Sequence, residues 1–152
     1  MIEINLPEKT RALVEGDIFK LDDSIDDTLL AKFLFYVPTV VREYGLAIAE
    51  LRRAKREYEK EILMLQSELE RTEAEVLLGL DVEVYKNESL RDAGVKDSSK
   101  VQELKSRIIE QKKGMLDVES DTDELVEQYW GFKTLKDSLE SITKLRVSER
   151  SF

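Results

Sequence analysis

Apolar residues recur in steps of four and three along two stretches of the chain. This spacing keeps them on one face of an α-helix. The first series is Tyr58, Ile62, Leu65, Leu69, Thr72 and Val76, and the second is Val101, Leu104, Ile108, Gln111, Met115, Val118, Thr122, Leu125 and Tyr129. A helix cannot bury its own apolar seam, so each series needs a partner helix, either the other series folded back or another copy of the chain. The pattern predicts an all-α fold, a long antiparallel helical hairpin with coiled-coil character that assembles into an oligomer.

Helix-start and helix-stop residues divide this single predicted domain into four segments. In chain order they are an N-terminal arm (1–23), a long helix (24–79), a loop or hairpin (80–97) and a second helical segment (98–147). Pro38 should kink or restart the long helix, and Gly79 should end it. The second segment is expected to break between 114 and 123, which would leave a shorter C-terminal helix.

Composition restricts the class of protein. The charged fraction is 38%, above the ~25% of an ordinary globular protein, and is typical of long solvated helices. The chain has no cysteine and no histidine, which excludes disulfides and thiol catalysis and removes the usual zinc ligands and the commonest general base. We therefore expect no metal, no cofactor, no catalytic residue and no enzymatic activity.

Hydropathy predicts a cytoplasmic protein with no membrane partner. No stretch approaches the ~20 apolar residues that a membrane-spanning helix needs. The N-terminus lacks the basic and apolar regions of a signal peptide.

Basic residues are concentrated in the segment 51–60. The net charge of −9 should repel nucleic acid unless cations gather on one surface, and this segment carries five basic residues against two acidic ones. Their helical spacing suits contacts with successive phosphates. The candidate nucleic-acid-binding residues are Arg52, Arg53, Lys55, Arg56 and Lys60. The alternative is a solvated helix face with ion pairs such as Arg53 with Glu57.

A second basic group begins in the segment that breaks the helical pattern. It contributes Lys86, Arg91 and Lys96 to the candidate nucleic-acid-binding residues, and it continues to Lys113. Tyr85 beside Lys86 is the kind of stacking and charged pair that single-stranded nucleic acid uses. The alternative is a charged loop tip.

Aromatic residues cluster late in the chain. Large rings bury much apolar area, so a core or an oligomer interface is favoured over a platform for stacking bases. The same holds for the aromatic residues early in the long helix. The predicted core or interface residues are Phe33, Tyr36, Ile62, Leu65, Leu69, Tyr129, Trp130 and Phe132.

Short motifs spread over most of the chain are similar to those of one known family. The nearest to a motif is Gln128-Tyr129-Trp130-Gly131, after Asp121-Thr122 and before a helix with Leu139 and Ile142. The others are Ile25-Asp26-Asp27-Thr28, Tyr85-Lys86, Arg91, Gly94, Lys96, and the basic segment Arg53 to Tyr58. Together they resemble the UvsY family of phage recombination mediators. The resemblance implies an all-helical ring, a homo-oligomer that binds single-stranded DNA in recombination, repair and replication. It also implies two protein partners, a RecA-like recombinase and the single-strand-binding protein that it displaces.

Two other functions fit the same helices. One is a prefoldin-like or phage-assembly coiled-coil chaperone without DNA binding, in which exposed apolar tips hold clients. The other is a structural scaffold that oligomerises and does neither.

Overall fold

The computed structural model describes residues 26–151. They form three helices, α1 (Asp27–Gly79), α2 (Glu88–Lys96) and α3 (Ser99–Arg150), with no strand among them. The all-α class is confirmed for this part of the chain, while the arm expected at residues 1–23 lies outside it. None of the three helices carries an apolar stretch of membrane-spanning length.

Contacts divide the described chain into two compact units. The terminal unit comprises the described residues up to Leu51 together with those from Ser120 onward, and the central unit runs from Arg52 to Glu119. Each unit contains a part of α1 packed against a part of α3.

Asp26 starts α1. Its carboxylate Oδ1 accepts a hydrogen bond from the Leu29 N–H at 2.8 Å, and its carbonyl oxygen accepts the first helical bond from the Leu30 N–H at 2.9 Å. This is the geometry of an N-cap, which satisfies backbone donors that the first turn leaves open. The helix therefore begins at Asp27, next to the predicted start near Ser24 to Asp26.

Pro38 does not restart the helix. α1 continues through it as one helix to Gly79, although proline lacks the N–H for one helical bond. Val37 and Val40, on either side of it, are 1% and 0% exposed, so both neighbouring turns are held by the core. Packing outweighs the local cost of proline here.

The core of the terminal unit joins α1 and α3 in antiparallel directions. Asp27, at the start of α1, contacts Arg146 and Arg150 near the end of α3, and the Tyr44 and Phe132 ring centroids are 5.2 Å apart further along. Burial raises the pKa of Tyr44, and the charge of Glu124 adds to that rise. The buried residues are Leu30, Phe33, Val37, Val40, Phe132, Leu135 and Leu139.

The core of the central unit is the predicted seam. Leu65 packs with Leu104 and Ile108, with Leu69 half-buried against them, and Ile62 and Val101 are also buried. In this unit the first series and the start of the second are each other's partners. The same chain therefore covers the seam here without a second copy.

Residues 80–97 contain a helix, and no part of them forms the hairpin that was one of the two predictions. The Asn87 side chain caps α2 by accepting a hydrogen bond from the Leu90 N–H at 2.9 Å. Glu88 in the first turn and Lys96 in the last turn both complement the helix dipole. Val82 and Val84, which alternate with Asp81 and Glu83 as residues of a strand would, are 69% and 62% exposed.

α3 is continuous through 114–123, so the expected break and the separate C-terminal helix are absent. Gly114 lies within this helix, and its missing side chain makes room for another residue. A Cβ on Gly114 would lie 2.7 Å from Cε1 of Tyr58. The glycine therefore permits the close packing of the Tyr58 ring on α3.

Replacement of the two α3 glycines by alanine should have opposite effects. Alanine is favoured over glycine in a helix interior by roughly 0.5–1 kcal/mol. A Cβ on Gly131 would meet nothing within 4 Å, so Gly131→Ala should stabilise the protein by about that amount. Gly114→Ala should instead destabilise it, because the Tyr58 ring must move. Urea denaturation measures both free energies of unfolding, and equal stabilisation by the two variants would contradict the packing role of Gly114.

Asp27 contributes pH-dependent stability to the terminal unit through its contacts with Arg146 and Arg150. Its hydrogen bond to Arg150, then that to Arg146, lowers the pKa of this carboxyl. The stability it provides is therefore present above its unfolded pKa of about 4 and is lost as the pH falls through the lower folded-state pKa. Asp27→Asn should lower the melting temperature at neutral pH, and the difference from the original chain should vanish in acid.

The matched control is Asp26→Asn, since asparagine caps a helix as well as aspartate does. Thermal unfolding from pH 7 to pH 3 should show little difference at neutral pH for this variant. If Asp27→Asn matched it across the range, the ion pairs would contribute nothing.

Candidate nucleic-acid interface

The basic segment of α1 points away from α3. Successive residues on an α-helix turn by about 100°, which places Arg52, Arg53, Arg56 and Lys60 within an arc of about 100°. All four are exposed, whereas Lys55 is half-buried. Leu51, Tyr58 and Ile62, on the other side of the helix, are buried or half-buried. Burial of the seam thus directs four of the five candidate cations toward solvent.

Both lysines of this segment form ion pairs with glutamates. Lys55 Nζ lies 2.7 Å from Glu119 Oε1 and 3.9 Å from Glu59 Oε1, and Lys60 Nζ lies 3.0 Å from Glu57 Oε1.

The arginines, in contrast, form no ion pair within residues 26–151. The predicted pair of Arg53 with Glu57 is absent, since Glu57 contacts Lys60 instead. Arg52, Arg53 and Arg56, here named the arginine face, are therefore the exposed cations that the acidic residues of this segment leave uncompensated.

The arginine face suits phosphate recognition. A guanidinium is planar, always charged, and presents donors that match two phosphate oxygens at once. Lys60 can join it, because an exposed ion pair such as that with Glu57 is worth only ~0–1 kcal/mol and can be exchanged for a phosphate contact. Such contacts bind the backbone and read no base sequence.

The second basic group is only partly available. Lys86, Arg91 and Lys96 are all exposed. The Arg91 Nε donates to the Tyr85 carbonyl oxygen at 3.2 Å, so this side chain fastens the segment before α2. The Lys96 carbonyl oxygen accepts a hydrogen bond from Gln102 Nε2 at 3.2 Å, which leaves the ammonium group of Lys96 unaffected.

Tyr85 has a structural role in this group. Its ring is half-buried against Gly94, where a Cβ would lie 2.7 Å from Cε1 of Tyr85. The prediction that this ring stacks on a base is therefore not supported by its position.

Lys112 and Lys113 on α3 are two exposed cations that were not among the candidates. Neither forms an ion pair within the described part of the chain. Their signal in the sequence was weak because acidic residues flank the pair at Glu110 and Asp117.

The late aromatic cluster divides between core and surface. Phe132 is buried, Tyr129 is half-buried, and Trp130 is 55% exposed with the Lys133 Nζ 4.7 Å from its ring centroid. Residues two positions apart on an α-helix point in directions that differ by about 200°. Trp130 and Phe132 therefore cannot both face α1. Trp130 is therefore not a core residue. Helical spacing alone could have shown this.

The early aromatic residues follow the same rule. Phe33 is buried in the terminal core and Tyr36 is half-buried, with its ring edge-on to Phe35 at 5.2 Å. The predicted core residues Ile62 and Leu65 are buried, and Leu69 is half-buried.

Comparison with known proteins adds no relative. No family model matches the chain, and no curated protein and no solved structure matches it either.

Proposed function

We propose that this chain is a non-enzymatic protein that binds single-stranded DNA without sequence preference through its arginine face. The observation that carries the proposal is the position of Arg52, Arg53 and Arg56, exposed on one side of α1 and without an ion pair in the described residues. In a chain with a net charge of −9, such a local surplus of cations can attract an anionic partner.

The resemblance to phage recombination mediators gives this binding a biological setting. In that setting the chain forms a homo-oligomer, holds a single strand, and helps a RecA-like recombinase replace the single-strand-binding protein in the infected cell. One arginine face makes few phosphate contacts. Several copies on one strand would add their contacts into a tight and salt-sensitive site.

A second candidate is a coiled-coil chaperone or scaffold that does not bind DNA. The observation in its favour is a set of exposed apolar residues in the central unit, Leu63, Met64, Ile109 and Leu116, each at least 60% exposed. Exposed apolar residues on soluble proteins commonly mark contacts with other chains. This function predicts suppression of client aggregation with no requirement for nucleic acid.

Neutralisation of the arginine face should weaken binding to a single-stranded oligonucleotide. Each lost phosphate contact reduces the salt slope by about 0.7 for single strands. The variant Arg52→Gln, Arg53→Gln, Arg56→Gln should therefore show a slope shallower by about 2 and an affinity roughly a hundredfold lower at 0.1 M salt. Fluorescence anisotropy titrations across salt concentration measure both quantities.

The matched control removes three positive charges elsewhere, at Arg71, Lys136 and Lys144. It should bind nearly as the original chain does, because a local surface rather than total charge holds the phosphates. Equal loss of affinity in both variants would refute the arginine face. No binding of the original chain at low salt would refute DNA binding altogether and favour the chaperone or scaffold.

A further inference from the structure

Five residues of α3 repeat the spacing of the buried seam one position later. The seam residues here are Leu104, Ile108, Gln111, Met115 and Val118, and each is followed by a member of a second row. That row, here named the lateral stripe, is Lys105, Ile109, Lys112, Leu116 and Glu119. Its steps of four and three keep it together along one side of α3.

The apolar members of the lateral stripe are open to solvent. Ile109 and Leu116 are 67% and 60% exposed, whereas Ile108, the neighbour of Ile109, is 7% exposed. Apolar residues at heptad spacing with charged residues around them are typical of a helix that packs on another helix. α1 cannot be that helix, because it already covers the seam.

Ion pairs show which side of the central unit carries the lateral stripe. Its two ends contact α1: Lys105 Nζ lies 3.3 Å from Glu73 Oε1, and Glu119 Oε1 lies 2.7 Å from Lys55 Nζ. Lys55 and Glu73 are eighteen residues apart, which is five helical turns, so they project in the same direction from α1. The lateral stripe therefore lies along one flank of the helix pair.

We propose that this flank binds the same flank of a second copy, with the two α3 helices antiparallel about a two-fold axis near Lys112. The lateral stripe is nearly symmetric about Lys112, since the other members lie seven and three positions before it and four and seven positions after it. A two-fold contact is self-complementary by construction. It places Ile109 of one copy against Leu116 of the other, so that both exposed apolar residues are covered.

The charges at the two ends of the lateral stripe also match in this arrangement, whereas Lys112 meets Lys112 at the axis, where the long side chains must turn their like charges into solvent. Lys105 of one copy meets Glu119 of the other, and each already has an opposite charge on its own α1. The contact therefore forms a row of alternating sign, Lys55 and Glu119 of one copy followed by Lys105 and Glu73 of the other. Opposed charges at such flanking positions set the orientation of paired helices.

The alternation of charge favours a second copy over nucleic acid on this flank. A polyanion would meet Glu73, Glu119 and Glu59 as well as the lysines. The inference is also independent of the proposed function, because the arginine face is on α1 and points away from α3, whereas the lateral stripe is part of α3 itself.

A single-cysteine variant tests the axis directly, because the chain has no cysteine of its own. A residue at a two-fold axis meets its own copy, so Lys112→Cys should form a disulfide-linked dimer under mild oxidation. The control is Glu110→Cys, exposed on the same helix but about 200° away around it. The Lys112→Cys dimer should form at least tenfold faster than the control dimer. Equal rates would overturn the proposal.

Light scattering provides the second measurement. Ile109→Lys with Leu116→Lys should shift the original chain's concentration-dependent mass toward a smaller species, while helicity by circular dichroism is unchanged. Met64→Lys is the matched control, since Met64 is also 67% exposed but lies on α1 away from this flank. An unchanged mass in the double variant would overturn the proposal, as would loss of oligonucleotide binding with no change in mass, which would assign the flank to nucleic acid.

Discussion

Burial of one apolar seam between two antiparallel helices is the constraint on which the rest of this structure depends. Each turn of a helix pair can supply only one or two residues to a shared core, so the choice of seam decides which side of α1 and α3 meets solvent. Leu51 and Ile62 are buried in α1, and the residues half a turn away from them are therefore exposed. The arginine face follows from this geometry.

The same constraint gives neighbouring residues opposite environments. Ile108 is buried and Ile109 exposed, and Phe132 is buried two positions after an exposed Trp130. Hydrophobicity by itself does not distinguish the members of these pairs. Their positions relative to the seam do, and the exposed members are the residues that remain available to other molecules.

Local electrostatics matter more here than net charge. The chain carries 33 acidic and 24 basic residues, yet the two acids within the basic segment, Glu57 and Glu59, both contact lysines. Within residues 26–151 this pairing leaves Arg52, Arg53 and Arg56 without an ion pair on a side that faces solvent. An acidic protein can therefore present a cationic surface, and several copies can make that surface effective through multivalent contacts.

Helical periodicity was sufficient to predict the all-α class, the two seam series, the approximate extent of α1 and α3, and the basic segment at 51–60. Periodicity reports spacing along one chain, and it cannot choose among partners of similar energy. Glu57 has both Arg53 and Lys60 within reach, and only the packed structure assigns it to Lys60. Lys55 meets Glu119, far away in sequence, and Gly114, which resembled a helix break, stays helical beneath the Tyr58 ring. Contacts between helices decided these points because their energies depend on residues that are adjacent only after the chain folds back.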